Sequence, residues 1–184
     1  MKSRNIDNPL VKSLYELTSI LVSSAVIIMI VFTFLVRFAG VVGDSMNPTL
    51  LSGNWVVLSQ TGLYYNPQQG DIVVISQPNA LDENIIKRVI ATEGQTIDID
   101  FETGDVMVDG TVLEEPYINN PTTTSFDIEF PLTVPEGYVF VMGDNRQNSM
   151  DSRCSEIGLI RVDYILGNAE YAVDLAGRTA FSLK

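Results

Sequence analysis

The sequence predicts an all-β body preceded by one N-terminal transmembrane helix, and two observations support this. Residues 17–36 contain no charged side chain, whereas the chain beyond residue 37 holds short runs of β-branched and aromatic residues separated by turn formers. Runs of that kind at close spacing are typical of β barrels and sandwiches. With 184 residues, the chain is long enough for one domain with a hydrophobic core.

The uncharged stretch is long enough to cross a bilayer, because twenty helical residues rise about 30 Å. A cleaved secretory leader would have a shorter apolar core followed by small residues at a cleavage site. Ala39 and Gly40 match such a site only weakly. We therefore predict an uncleaved helix over residues 17–37, after an N-terminal segment of residues 1–16 and before a body of residues 38–184.

Charge predicts the orientation of this helix. Lys2, Arg4 and Lys12 precede it, whereas Arg37 alone follows it closely. By the positive-inside rule, the N terminus lies in the cytoplasm and the body lies outside a cell membrane that the chain crosses once. From residue 38 onward, 7 Lys and Arg stand against 21 Asp and Glu. This acidic balance argues against a nucleic-acid partner and against attraction to anionic lipid.

The predicted strands of the body follow the turn signals. The strand-like runs are residues 55–58, 71–76, 84–91, 96–100, 105–108, 111–114, 138–142 and 165–173. Asp109 and Gly110 between two of them suit a tight hairpin turn with positive φ. We predict that residues 97–135 form a small β insert within the body.

A turn-rich loop follows the apolar segment, with Ser45 near its centre and Gly43, Asn47 and Pro48 around it. A lone serine in a turn usually caps the backbone, and this reading stays open. The chain has no histidine, so neither a Ser-His-Asp triad nor a Cys-His pair is possible. If Ser45 is a nucleophile, a lysine is the obvious base.

Lys87 is the candidate base. It lies in a β-branched run that predicts a strand, where it shares a face with Ile85 and Val89 while Arg88 points the other way. Desolvation on an apolar face would lower the pKa of this lysine from ~10.4 toward about 8. The alternative is a lysine that extends its amine to solvent at the strand edge.

A polar loop at residues 143–153 follows the predicted strand 138–142. Its alternation of acids and arginines suits either a hydrogen-bonded network or an ordinary solvated loop. Cys154 is the single cysteine, so no intrachain disulfide can form, and we expect it to pack as a small hydrophobe. Without histidine and with scattered acids, the sequence predicts no metal site and no cofactor.

Four motifs occur in order behind the apolar segment: Ser45-Met46-Asn47-Pro48-Thr49-Leu50, Gly70-Asp71-Ile72-Val73-Val74, Ile86-Lys87-Arg88-Val89-Ile90, and Gly143-Asp144-Asn145-Arg146 continued by Asp151-Ser152-Arg153. In this order they resemble the motif set of type I signal peptidases, the bacterial leader peptidases, over residues 17–167. The single membrane pass, the compact length and the lone cysteine are similar to the Gram-positive form of that family.

The resemblance implies a signal-peptidase-like β barrel or sandwich and a membrane-anchored serine endopeptidase. Its substrates would be exported preproteins, cut after an Ala-x-Ala-like site, with Ser45 as nucleophile, Lys87 as general base and Ser149 orienting the lysine amine. Residues that match loop-supporting positions of the family are Arg88, Asp144, Arg146, Asp151 and Arg153. Residues that match its substrate pocket, although each taken alone reads rather as plain core, are Val41, Met46, Leu50, Ile85 and Ile86.

Two positions depart from the family pattern. Gln147 stands where an aspartate is common, and Gly43 stands where several relatives carry a serine that helps to bind the oxyanion. Two other functions remain open from the residues. One is a self-cleaving Ser-Lys peptidase of the SOS-repressor type, which the membrane segment and the acidic charge oppose. The other is a membrane-anchored β module that binds an extracellular partner and leaves Ser45 and Lys87 as coincidences.

Overall fold

The computed structural model describes residues 9–34, 36–60, 66–76 and 83–183. Clustering of contacts divides the chain into two compact units, Met1–Arg37 and Phe38–Lys184. Lys2 and Arg4, on which part of the predicted orientation depends, lie outside the described residues.

The first unit is dominated by helix α1, Pro9–Phe34. By length and composition, its stretch Pro9–Ile30 is apolar enough to cross a membrane. Proline suits the first helical position, because its ring fixes φ at a helical value and its missing N–H would have no partner there. The structure corrects both ends of the predicted helix 17–37: α1 begins at Pro9 and ends at Phe34, and Val36–Gly40 forms strand β1.

The body is all β, which confirms the predicted fold class. Its larger sheet has the strand order β1-β2-β11-β3-β4-β9-β10, and β12 pairs with β11. The strands of this sheet after β1 are β2 Trp55–Gln60, β3 Ile72–Ile75, β4 Ile85–Thr92, β9 Tyr138–Met142, β10 Ile160–Arg161, β11 Ile165–Asp174 and β12 Thr179–Ser182. A short 3-10 helix, Val162–Tyr164, joins β10 to β11.

The smaller sheet has four strands in the order β7-β6-β5-β8 and, except for Thr96 at its start, lies within the predicted insert 97–135. These strands are β5 Thr96–Asp100, β6 Asp105–Val108, β7 Thr111–Val112 and β8 Leu132–Thr133. Asp109 and Gly110 have φ values of 51° and 76° between the paired residues Val108 and Thr111, as a tight hairpin requires. The predicted hairpin is therefore confirmed.

The core explains why β3 is a continuous apolar run rather than an alternating one. Ile72 and Val74 pack in one buried cluster with Met46 and Leu50, whereas Val73 and Ile75 pack in a second cluster. A strand that is buried on both faces carries no polar side. This strand pairs with β4 in a register that sets Val73 opposite Lys87.

Strand β4 lies between β3 and β9, and this position organises the site. Antiparallel pairing sets Arg88 opposite Met142, the last residue of β9. The polar loop that starts at Gly143 therefore begins beside Arg88, one residue from Lys87.

Candidate active site

The loop that carries Ser45 is closed at its base by backbone hydrogen bonds. Val41 N–H donates to Asn54 O and Gly53 N–H donates to Val41 O, both at 2.9 Å. Inside the loop, Gly43 has φ 84°, a left-handed conformation that favours glycine. Met46 is buried, so the loop is anchored to the core while Ser45 keeps partial exposure.

The amine of Lys87 reaches the serine of this loop. Lys87 Nζ lies 2.7 Å from Ser45 Oγ, within hydrogen-bond distance. Lys87 is only 3% exposed, and burial lowers the pKa of its amine to about 8. Asp151 and Asp144 oppose this shift, and Arg153 adds to it. A serine hydroxyl beside an amine that is partly neutral near pH 8 is the arrangement a Ser-Lys nucleophile requires.

The polar loop after β9 packs directly on the Ser45 loop. Asn145 N–H donates to Ser45 O at 3.0 Å, and the Asn145 side-chain amide donates to Asp44 O at 3.0 Å. Any side-chain carbon on Gly143 would collide with the Ser45 carbonyl oxygen and with Ser149. Only glycine therefore permits this close approach of the two loops.

Ser149 is buried beside Gly143, but it does not make the expected contact. Among the described residues, Ser149 Oγ has no hydrogen-bond partner. The bond to the lysine amine that the resemblance implies is absent, and that amine bonds to Ser45 instead. The orienting role of Ser149 stays a prediction.

A buried ion pair joins the strand of Lys87 to both loops. Arg88 Nε and one terminal nitrogen donate to the two oxygens of Asp144 at 2.8 and 2.7 Å, while the other terminal nitrogen donates to Gly70 O at 2.8 Å. Asp144 Oδ2 also accepts a hydrogen bond from Thr49, in the loop of Ser45. Because bidentate pairs have a fixed geometry, Asp144 holds β4 and the nucleophile loop in register.

A second ion pair stiffens the polar loop from within. Arg153 donates to both oxygens of Asp151 at 2.8 and 2.9 Å, and Asp151 accepts the Gly143 N–H at 3.0 Å. Arg153 also donates to the carbonyl oxygens of Arg146 and Thr124. Both side chains of the Asp151–Arg153 pair are fully buried, so this loop is a network and not a solvated surface.

Arg146 has partners that the sequence did not indicate. Its Nε donates to Gly143 O at 3.1 Å, and its terminal nitrogens pair with Glu115. One of those nitrogens also donates to Thr122 Oγ1 at 2.8 Å. Both new partners lie in the predicted insert, which therefore takes part in building the site.

A cleft of about 290 Å³ opens beside Ser45 and Lys87. Of the residues predicted to line a substrate pocket, it brings together Val41, Met46, Ile85 and Ile86. Leu50 does not line the cleft: it is fully buried in the core cluster that also contains Val41 and Met46. Residues of the wall that the sequence did not indicate are Gly40, Val42, Gly43, Asp44, Glu83, Asn84, Asn148 and Met150.

Comparison with known proteins adds independent information. The model of the family described as "Signal peptidase, peptidase S26" matches residues 14–173. A probable signal peptidase I-1 from Synechocystis sp. is 38% identical over 143 residues, which cover 73% of this chain and 69% of that protein. Signal peptidase I S from Bacillus subtilis is 33% identical over 180 residues, which cover 93% and 94% of the two chains.

Among solved structures, that of a signal peptidase I from Enterococcus faecalis V583 is similar to this chain. It is 28% identical to this chain, with a TM-score of 0.47, and the match covers 56% of this chain and 97% of that one.

Proposed function

Because this chain belongs to the signal peptidase family, peptidase S26, we propose that it removes signal peptides with Ser45 as nucleophile and Lys87 as general base. The family match and the relatives named signal peptidase I support a serine peptidase that removes signal peptides from exported preproteins. The observation that carries the residue assignment is the 2.7 Å separation of Lys87 Nζ and Ser45 Oγ at a buried site.

Acylation starts with the neutral amine of Lys87. It takes the proton of Ser45 Oγ as that oxygen attacks the carbonyl carbon of the scissile peptide bond. The resulting ammonium then gives the proton to the leaving amine, so the bond to the mature protein breaks and an ester to Ser45 remains. Lys87 next takes a proton from water as that water attacks the ester carbon. The ammonium then returns the proton to Ser45 Oγ as the acyl–oxygen bond breaks, which releases the signal peptide and restores the serine. The same amine serves both half-reactions, because its pKa of about 8 lets it gain and lose a proton near neutral pH.

The tetrahedral intermediates carry an oxyanion that needs donors. We assign one donor to the backbone N–H of Ser45, which makes no hydrogen bond within the described residues. Gly43 offers no side-chain donor. The serine hydroxyl that several relatives use at that position is therefore missing, and we propose that a backbone N–H supplies the second donor.

The cleft determines which residues precede the cut. The apolar side chains of Val41, Met46, Ile85 and Ile86 line it beside Ser45, and the cleft volume of about 290 Å³ must be shared among several substrate positions. Small side chains fit such a space, whereas large ones would need the buried walls to move. The size and the apolar lining of the cleft support cleavage after an Ala-x-Ala-like sequence.

Signal peptidase I proteins are membrane-associated, and helix α1 has the length and composition of a membrane span. We propose that α1 is an uncleaved anchor whose N terminus lies in the cytoplasm, so that the body lies outside, where cleavage sites of exported preproteins emerge. The excess of positive charge on the N-terminal side supports this orientation. That side carries Lys12, together with Lys2 and Arg4 beyond the described residues, whereas the other side carries Arg37.

The direct test is cleavage of a preprotein with an Ala-x-Ala site by the purified full-length protein in detergent. We expect one cut after that site, identified by mass spectrometry of both products, and no cut by the Ser45→Ala variant. Cleavage by that variant would exclude the proposed nucleophile. The absence of any cleavage by the wild-type protein would contradict the proposed function itself.

A further inference from the structure

An irregular segment of the insert lies over the arginines that support the site. We name residues 113–131, between β7 and β8, the strap. Strap residues make direct contacts to three buried arginines, Arg88, Arg146 and Arg153. No strap residue lines the catalytic cleft. The strap also reaches the Ser45 loop through one hydrogen bond of 3.4 Å, from the Asn119 side-chain amide to Asn47 Oδ1. Glu115 and Tyr117 instead contact the arginines, so their effects on the reaction pass through Arg146 and Arg88.

The first contact is an ion pair between the strap and the polar loop. Glu115 accepts hydrogen bonds from both terminal nitrogens of Arg146, and the two side chains are 6% and 0% exposed. Arg146 Nε also donates to the carbonyl oxygen of Gly143. Gly143 is the residue that abuts Ser45 O and Ser149. Glu115 is thus connected to the backbone of the nucleophile by three successive contacts, through Arg146 and Gly143.

The second contact stacks an aromatic ring on the other arginine. The guanidinium carbon of Arg88 lies 3.9 Å from the centre of the Tyr117 ring. The Tyr117 hydroxyl donates to Glu115 at 3.0 Å, so the two strap residues brace each other. Burial, and then the neighbouring Glu115 carboxylate, raise the pKa of the Tyr117 phenol. The phenol therefore stays protonated and keeps donating this hydrogen bond.

Both arginines lead back to the catalytic pair. Arg88 follows Lys87 directly on β4, and its guanidinium is clamped between the Tyr117 ring and Asp144. Asp144 in turn binds Thr49, four residues after Ser45. The Tyr117 ring thus packs on one face of the Arg88 guanidinium. The edge of the same guanidinium binds Asp144, which holds the nucleophile loop in position.

We propose that Glu115 and Tyr117 are positioning residues for the Ser45–Lys87 pair, acting through Arg146 and Arg88. This role rests on the proposed function of that pair. A displacement of about 1 Å between reacting groups can cost a hundredfold in rate, so loss of either brace reduces turnover even though neither residue touches substrate.

A purely structural strap makes different predictions. Buried arginines are destabilising without partners, so removing Glu115 or Tyr117 could lower thermal stability alone. A positioning role changes kcat per folded molecule, with KM preserved, because substrate contacts stay in place. It also moves the pH profile. Loosening of the Arg88–Asp144 pair lets water reach Lys87 and leaves the Asp144 charge less neutralised, and both effects raise the pKa of the amine.

The groups that face Lys87 explain the direction of that pH change. Asp151 and Asp144 raise the pKa of the Lys87 amine, whereas Arg153 and burial lower it. Weaker pairing of Asp144 therefore shifts the acid limb of kcat/KM to higher pH. No strap residue contributes to the pKa of Lys87 directly, so a shift on mutation reports rearrangement of the residues between them.

The experiment compares Tyr117→Leu and Glu115→Gln with two matched controls in the full-length protein in detergent, with the preprotein substrate. Glu114→Gln makes the same chemical change at the exposed neighbouring position, and Tyr171→Leu removes an exposed tyrosine elsewhere. Tyr117→Phe keeps the ring over Arg88 and loses only the hydroxyl. Melting curves give the folded fraction for each variant, so that kcat is expressed per folded molecule.

We expect Tyr117→Leu and Glu115→Gln to lower kcat about tenfold at pH 8, with KM within about twofold of the wild-type value and the acid limb moved upward. Tyr117→Phe should recover most of the lost rate, and both controls should match the wild-type protein. Unchanged kcat and pH profile per folded molecule in Tyr117→Leu and Glu115→Gln would overturn the proposal, as would a loss in Tyr117→Phe equal to that in Tyr117→Leu. The Ser45→Ala variant, measured alongside, tests the proposed function separately, because it removes the nucleophile and leaves the strap unchanged.

Discussion

The Lys87 amine lies 2.7 Å from Ser45 Oγ across a separation of 42 positions in the sequence. Strand β4 supplies the lysine from a buried position, and the loop at residues 41–54 supplies the serine. The tertiary fold alone brings these two side chains together, so their geometry depends on both elements being fixed. Several consequences of this pairing can be measured.

Substitution of either member of the pair should abolish cleavage. We expect Ser45→Ala and Lys87→Ala each to reduce kcat below detection, with melting temperatures that show intact folding. Because the two groups act as a unit, the double variant should be hardly slower than either single one. Ser52→Ala, at an exposed position of the same loop, is the matched control and should be fully active. Additive losses in the double variant would argue against a shared step.

Activity should depend on pH through Lys87. The neutral amine is the active form, and burial lowers its pKa to about 8, so kcat/KM should rise with pH along an acid limb centred near that value. Lys87→Arg should be inactive, because a guanidinium remains protonated at every accessible pH. A full pH–rate profile on a peptide substrate measures the limb. A limb near the ordinary lysine pKa would refute the buried-base assignment.

Much of the body was predictable, because its turns carry explicit signals. Strands β5, β6 and β9 match the predicted runs, and Asp109 with Gly110 predicted the hairpin correctly. The four strands that were missed lack such signals. β1 overlaps the end of the apolar stretch at Val36, β8 and β10 have two residues each, and all four side chains of β12 are exposed. Where burial and turn chemistry are both weak, pairing is decided by distant residues.

The site was predictable where chemistry limits the choice. Without histidine, a serine nucleophile leaves few possible bases, and a lysine flanked by Ile85 and Val89 was the evident one. The substrate pocket was less predictable from the sequence, because an apolar residue beside a nucleophile can face either the cleft or the core. Leu50 faces the core. Glu115 and Tyr117 gave no local signal at all, since their partners are 31 and 29 positions away.

The buried lysine should also make stability depend on pH. Between about pH 8 and 10.5 the unfolded chain binds a proton at Lys87 that the folded protein does not, so wild-type stability rises with pH in this window. Below about pH 8 the cost of charging the buried amine is fully present, at roughly 3 kcal/mol. Lys87→Met removes that cost. Its stability advantage over the wild-type protein should be largest below pH 8 and should shrink toward pH 10.5.

Melting temperatures of the two proteins, measured in parallel across this range, test the point. The difference between them isolates Lys87, because the remaining ionisable groups are common to both. A constant difference at all pH values would show that Lys87 titrates alike in the folded and unfolded chains.

The proposed topology can be tested in cells. A reporter fused after Lys184 should be exported, whereas one inserted near Lys12 should stay in the cytoplasm, because three basic residues precede the uncharged stretch 17–36 and Arg37 alone follows it closely. Protease added to intact spheroplasts should digest the body and spare the first residues. The opposite labelling pattern would place the catalytic residues on the wrong side for exported substrates.

Ser149 provides the sharpest test of how the lysine is oriented. Its hydroxyl is buried and has no partner among the described residues, so its removal should leave the melting temperature unchanged or slightly raised, since an unsatisfied buried hydroxyl is itself destabilising. If the hydroxyl binds the Lys87 amine during turnover, Ser149→Ala should nevertheless lower kcat by roughly ten- to a hundredfold, with KM little changed, because the lost contact matters mainly in the transition state. Ser149→Thr keeps the hydroxyl and should retain more activity than the alanine variant if the added methyl fits beside Gly143. Both kcat and melting temperature should be measured on one preparation. A lowered melting temperature with full activity would make Ser149 a structural residue of the loop only.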